Sequence, residues 1–355
     1  MTPQALHLTR REWLHRLPKV ELHRHLEGSL RLDTLLELAR HDGNGIDVPA
    51  RSLDEMRALV TLAARRGDNR AYLQKFSILR LFYRSPEIIS RFAYEAVADA
   101  AADNVRYLEL RFTPRALAAV CGFPFEEVTD WVCEAVSRSA ADHHLTARLI
   151  LSINRHEGVE IGEAIAQVAI DRQCVGVVGL DIGGDEAAYS ARPFGSLLVQ
   201  AKQAGMGITM HAGEWDGARS VRDAIEYWHA DRIGHGVRVI EDSSVTQMAR
   251  DRGIVFEVCP TSNIQSGVAQ SIALHPLRDM FDLGLRTTLN TDNTCVSAVT
   301  LTDEMEIISD GLGFALADIK KMQRTALESA FLPEAERAVL LKRLSEELDP
   351  FPDSL

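Results

Sequence analysis

The chain has 355 residues, 46% of them hydrophobic and 25% charged, which excludes a largely disordered polypeptide. Its formal net charge of -12 repels phosphate backbones and no Lys/Arg block offsets it, so duplex DNA and bulk RNA are not expected partners. Five scattered cysteines (121, 133, 174, 259 and 295) form no Cys-x-x-Cys pair, which argues against a disulfide framework and a zinc ribbon. The N-terminal stretch is charged where a signal peptide needs an apolar core. No apolar run approaches the roughly 20 residues of a spanning helix. The expected setting is cytoplasmic, with no membrane partner; oligomeric state is not legible.

Short β-branched runs alternate with longer stretches of helical period. The first strand is expected over Lys19–Arg24. About 75–80 residues then intervene before Val105–Phe112, far more than one crossover helix needs. This link contains helical segments at Arg70–Arg84 and Pro86–Asn104 and is expected to cover the mouth of the fold. A helix over Glu126–Asp142 leads to the strand Thr146–Ile153, and one over Val159–Arg172 leads to Gly176–Asp181. Gly205 marks a helix stop before the strand Gly207–His211. Ser220–His229 precedes the strand Arg232–His235, and Ser243–Arg252, stopped by Gly253, precedes Ile254–Val258. Arg286–Asn290 is the eighth candidate strand. Helical patterns follow at Leu301–Asp310, with Gly311 as the expected stop, at Ala315–Ser329 and at Glu334–Glu347.

Eight strands alternating with helices predict an α/β fold, a (β/α)8 TIM barrel forming one domain over 1–355. A helical lid is expected at about 26–104 and a C-terminal helical extension at about 301–347. The absence of a Gly-x-Gly-x-x-Gly turn after the first strand weakens the alternative, a doubly wound open sheet.

The unusual polar residues fall at strand C-termini, where such barrels build active sites. His23 and His25 sit two apart on one strand and so face the same way. His211 ends the fifth strand, His235 the sixth, and Asp292 follows the eighth. His23, His25, His211 and Asp292 together suit one zinc ion, with room for an activated water. Glu214, in His-Ala-Gly-Glu, stands where a carboxyl can carry protons without ligating. His235, flanked by glycines, is either a fifth ligand or a group that orients the nucleophile. No lysine occurs between Lys75 and Lys202, which argues against a lysine-bridged metal pair. Asp181 or Asp185 as a bridging carboxylate is a weaker alternative.

The chain resembles the adenosine deaminases and their aminopurine-deaminase relatives in the amidohydrolase superfamily, from about Leu17 to Thr300. The resemblance is carried by Pro18–Ser29 (PKVELHRHLEGS), Val105–Pro114 (VRYLELRFTP), Gly183–Glu186 (GGDE), His211–Glu214 (HAGE), Asp231–Gly236 (DRIGHG), Phe256–Asn263 (FEVCPTSN) and Leu289–Asn293 (LNTDN). It implies one zinc per subunit on His23, His25, His211 and Asp292, and hydrolytic loss of the amine at purine C6. Glu214, His235 and Asp292 would be catalytic, with Glu214 in its acid form donating to N1. His25, Glu27, Gly184 and Asn293 would contact substrate. Adenosine-specific members usually carry Asp where Glu27 stands, and many have a second Asp where Asn293 stands. Adenine-specific relatives often carry Glu at the first of these positions. The stretch Asn290–Ser297 is more similar to nucleoside deaminases. The expected substrate is therefore a small aminopurine nucleoside, adenosine or deoxyadenosine, in purine salvage. The alternatives are adenine, methylthioadenosine, S-adenosylhomocysteine and aminodeoxyfutalosine.

Overall fold

The computed structural model describes residues 8–62 and 67–353. Part of the N-terminal stretch and residues 63–66 of the expected lid lie outside the described residues. A short α1 (Arg10–Arg16) leads into β1 (Lys19–His25). The long link holds α2 (Leu32–Arg40), α3 (Leu53–Val60), α4 (Asn69–Leu79) and α5 (Pro86–Ala102). Then come β2 (Val105–Phe112), α6 (Pro114–Ala118), α7 (Phe125–Asp142), β3 (Thr146–Asn154), α8 (Val159–Asp171), β4 (Val177–Gly183), α9 (Gly195–Gln203) and β5 (Gly207–Ala212). The second half holds α10 (Ala218–Glu226), β6 (Arg232–His235), α11 (Ser243–Asp251), β7 (Val255–Val258), α12 (Pro260–Gln265), α13 (Leu277–Asp282) and β8 (Arg286–Leu289). It closes with α14 (Thr294–Ser297), α15 (Leu301–Leu312), α16 (Leu316–Glu328) and α17 (Glu334–Leu348).

All eight expected strands are present, parallel and in consecutive order, as a (β/α)8 barrel requires. Their residues are almost all buried, which is why the runs read as continuous apolar segments rather than alternating ones. β4 continues past Asp181 because Asn154 of β3 pairs with Gly183. The pattern over Arg70–Arg84 divides into α4 and a tight 3-10 turn at Arg80–Phe82. Asp68 starts α4 by accepting the Ala71 N–H at 2.8 Å. α5 packs against β2 and α7 and is the barrel's own first crossover helix.

One expected stop moves. α15 continues through Gly311, and the left-handed cap falls at Gly313, with φ 68°. Gly311 instead permits close packing, since a Cβ there would lie 2.7 Å from Ile272 Cγ1.

The seam between β8 and β1 is closed by side chains as well as backbone. Asn290 Oδ1 accepts the N–H groups of Leu22 and His23 at 2.9 and 3.2 Å. Gln323 of α16 accepts the Val20 N–H at 2.7 Å. Further along, Arg24 bridges Asp292, with His25 N–H donating to Asp292 O at 2.7 Å and Asp292 N–H to His23 O at 3.0 Å. These bonds satisfy buried backbone donors that would otherwise be orphaned. Asn290→Ala strands two of them, and the expected loss is about 2–4 kcal/mol of unfolding free energy. Urea denaturation measures it; a loss within error of zero would mean that water or a shifted backbone replaces the amide.

Candidate active site

The barrel brings four imidazoles to one point at the strands' C-terminal ends. Ring centroids are 5.2 Å apart for His23 and His25, 4.7 Å for His23 and His211, 4.8 Å for His23 and His235, and 5.4 Å for His25 and His211. Only His25 has appreciable side-chain exposure, 17%. His235 and Asp292 adopt left-handed backbone, φ 58° and 63°. For non-glycine residues that conformation costs about 1–3 kcal/mol and is typically held where geometry serves a function.

Two carboxylates set the imidazole tautomers. Glu257 Oε2 lies 2.8 Å from His23 Nδ1. Asp181 Oδ1 lies 2.9 Å from His211 Nδ1. A carboxylate accepts, so each ring carries a proton on Nδ1, and in the neutral form that a metal ligand requires the lone pair falls on Nε2. Glu257 also accepts from Arg111, Arg232 and Thr209. Burial would raise its carboxyl, but Arg111 and Arg232 outweigh it and hold Glu257 well below the usual carboxylate range. Asp181 is likewise depressed: burial opposes the charge, and His211 and Arg111 override it. The second Asp181 oxygen accepts from Ser152 at 3.0 Å, so this residue backs His211. Asp185 caps a turn by accepting the Ala188 N–H at 3.1 Å.

Asp292 divides its two oxygens. Oδ2 accepts from Ser262 at 2.6 Å and from Tyr72 of α4 at 2.9 Å. Oδ1 faces the Nε2 atoms of His23 at 3.5 Å and His25 at 3.4 Å. Tyr72 in turn accepts from Asn293 Nδ2 at 2.8 Å. Part of the long β1–β2 link thus reaches the reacting centre. Sequence reasoning missed Tyr72, whose hydroxyl lies in an otherwise ordinary helical pattern, and Ser262, which stands in the FEVCPTSN segment.

Glu214 is 3% exposed, and its Oε2 lies 3.8 Å from His235 Nε2. Burial first, then the charges of Asp292 and Glu186, push its carboxyl well above the usual range. Its loop is held by Glu186, which accepts the N–H groups of Gly213, Glu214, Trp215 and Asp216 at 2.7–3.1 Å. Glu27 Oε1 accepts the Thr113 N–H at 2.8 Å. Among the described residues its Oε2, the Tyr83 hydroxyl and Arg80 Nε are buried without a hydrogen-bond partner. Gly184 follows β4 with φ 89°, a conformation that L side chains rarely adopt.

The donor set fits a metal ion. His23, His25 and Asp292 present one atom each within 4.8 Å of one another, and so do His23, His211 and His235, and His25, Asp181 and His211. Among the described residues the buried His23 Nε2 has no hydrogen-bond partner and faces the Asp292 oxygen at 3.5 Å, as a ligand atom of a shared cation would. Imidazole nitrogens backed by carboxylates, with one further carboxylate oxygen, suit zinc.

A parallel eight-stranded barrel with carboxylate-backed histidines at its strand ends has the architecture of an amidohydrolase-type enzyme. A family model described as adenosine deaminase matches residues 18–347. The adenosine deaminase of Klebsiella pneumoniae (strain 342) is 35% identical over 331 residues, 93% of this chain and 98% of that protein. A zinc-bound amidohydrolase from Burkholderia ambifaria superposes with a TM-score of 0.87 at 29% identity, covering 98% of this chain and 95% of the other. The adenine deaminase of Arthrobacter aurescens superposes at 0.84 with 25% identity, covering 94% and 99%. The chain belongs to the adenosine deaminase family and is a hydrolytic deaminase.

Tyr72→Phe removes one of two hydroxyls fixing Asp292. Metal affinity, measured by chelator competition, is expected to weaken on the order of tenfold, the lower end for such supporting contacts because Ser262 remains. Unchanged affinity would show that Ser262 alone suffices.

Proposed function

We propose that this protein is a zinc-dependent deaminase of adenosine and deoxyadenosine, yielding inosine or deoxyinosine and ammonia, and that it serves purine salvage in the cytoplasm. His23, His25, His211 and Asp292 would hold the zinc. When bound, zinc supplies Lewis acidity that lowers the pKa of a water, making a nucleophile available at neutral pH. The observation that carries the reading is Glu214. Its burial beside other carboxylates favours the acid form, which can donate to purine N1. That donation withdraws electrons from C6 and makes it open to addition. After addition, the carboxylate can take the proton of the added hydroxyl and pass it to the amine, which leaves as ammonia while C6 keeps the oxygen as a carbonyl. His235 faces the same centre and orients the incoming oxygen. The Asn293 amide offers an N–H to N7 without needing to be protonated, as an aspartate would. The Gly184 N–H would serve N3.

Glu27, Tyr83 and Arg80 would serve the sugar end, each having a polar atom without a hydrogen-bond partner among the described residues. A nucleoside would use them; free adenine would not. The second reading, adenine, is favoured by the Glu at position 27 and by the likeness to the Arthrobacter aurescens adenine deaminase. Ultraviolet and ammonia assays on adenosine, deoxyadenosine, adenine, methylthioadenosine, S-adenosylhomocysteine and aminodeoxyfutalosine decide between them. Adenosine is expected to give the highest kcat/KM; a higher value for adenine or a 5′-modified nucleoside would move the assignment there.

Glu214→Gln is expected to keep metal and ligand binding while lowering kcat by about three orders of magnitude or more. Near-normal turnover would remove Glu214 from the reaction. Glu27→Asp shortens the reach to the sugar by one methylene. The ratio of kcat/KM values among 5′-substituted substrates is expected to change, with kcat on adenosine nearly kept. An unchanged profile would place Glu27 away from the sugar.

A further inference from the structure

His235 differs from its neighbours in what stands behind its ring. His23 and His211 have carboxylates at Nδ1; His235 has the side-chain amide of Asn263, Nδ2 to Nδ1 at 3.0 Å. The other end of that amide, Oδ1, lies 3.1 Å from Nε2 of His275. The ring of His275 is closed off by backbone, for its Nδ1 accepts the Leu277 N–H at 3.1 Å at the start of α13. Asn263 and His275 are buried, at 0% and 3% exposure.

The direction of every proton in this chain follows from its far end. A backbone N–H is always a donor, so His275 Nδ1 must be the acceptor. His275 is neutral, because burial pushes it down to about 3. A neutral ring with a bare Nδ1 carries its proton on Nε2, and that proton points at Asn263. The atom receiving it must be Oδ1. The amide nitrogen therefore faces His235, and His235 Nδ1 must accept. Reversing the amide would set two donors against each other at His275.

We infer that Asn263 and His275 form a relay that fixes His235 as the Nε2–H tautomer, making it a hydrogen-bond donor to the reacting centre and not a metal ligand. The inference rests on the reading of His235 as part of a deaminase site, and adds two positioning residues to it. It also separates His235 from His23 and His211: backing by a carboxylate leaves Nε2 of the neutral ring for a metal, and backing by an amide donor places a proton there. Asn263 is itself anchored by backbone, donating to Cys259 O at 2.9 Å and accepting from Ala269 N–H at 2.8 Å. The relay is therefore rigid along its length.

Long-range proton–nitrogen correlation spectra of nitrogen-15 histidine-labelled, zinc-loaded protein read the tautomer directly. The His235 signals are assigned by their loss in His235→Gln. The expected result is a protonated Nε2 and a bare Nδ1. A proton on Nδ1, or an Nε2 without a proton, would overturn the relay. In Asn263→Asp the new carboxylate accepts, so Nδ1 should gain a proton. kcat should then fall about 10- to 100-fold with a smaller change in KM. A bare Nδ1 with unchanged kcat in that variant would contradict the proposal, and the unsubstituted protein's spectrum decides the matter if the variant does not fold. The spectrum is recorded without substrate. A protein inactive on every aminopurine would sink the deaminase reading and leave the relay standing, and a Nδ1-protonated His235 would do the reverse.

Discussion

Four imidazoles whose ring centroids lie 4.7–5.4 Å apart, largely buried, cannot all carry a positive charge. The protein resolves this from outside the cluster. Glu257 and Asp181 each accept from one Nδ1, and Asn263 donates to another. In the neutral rings the inward faces are thereby sorted into lone pairs and a proton. Such preorganisation is worth most where water is excluded, since nothing nearby can screen a misplaced charge or dipole.

The carboxylates that do this sorting are expensive to bury, and the barrel interior supplies their compensation. Arg111 reaches Glu257 at 2.7 Å and Asp181 at 3.5 Å, and Arg232 joins Glu257 to Glu109. An interior of charged pairs in place of the usual layers of branched apolar residues is a poor route to stability. It does give the site a fixed charge pattern. The same logic holds at the seam. Asn290 closes β1 against β8 at the level of His23, so the strand carrying two imidazoles is held in register with the segment carrying Asp292.

Much of this was legible in the sequence, for physical reasons. Strands buried on both faces leave continuous apolar runs, and His23 with His25 shows the two-residue period of a strand. One histidine or aspartate at the end of such a run has ordinary structural uses, but their conjunction at three separate strand ends does not. What could not be read was which side chains stand behind these residues. Glu257 lies in the FEVCPTSN segment but gives no sign there that it faces His23 across the barrel. The spacing of Asp181 says nothing about the His211 ring beside it. Tyr72 sits in a helical pattern whose landing point depends on the whole β1–β2 link. Asn263 and His275 acquire a role only through directions of hydrogen bonding, which no spacing encodes. Gly311 was read as a helix stop because a nearby glycine is the usual signal, whereas the fold uses it to admit Ile272.

Tautomers fixed in this way prepare the site for a single metal ion. Titration of zinc into metal-stripped protein, followed by calorimetry and by metal analysis of the isolated complex, measures the stoichiometry. One tightly bound zinc per chain is expected, with that binding lost in His23→Ala and in Asp292→Ala. Two equivalent ions per chain, or full zinc binding in either variant, would contradict it.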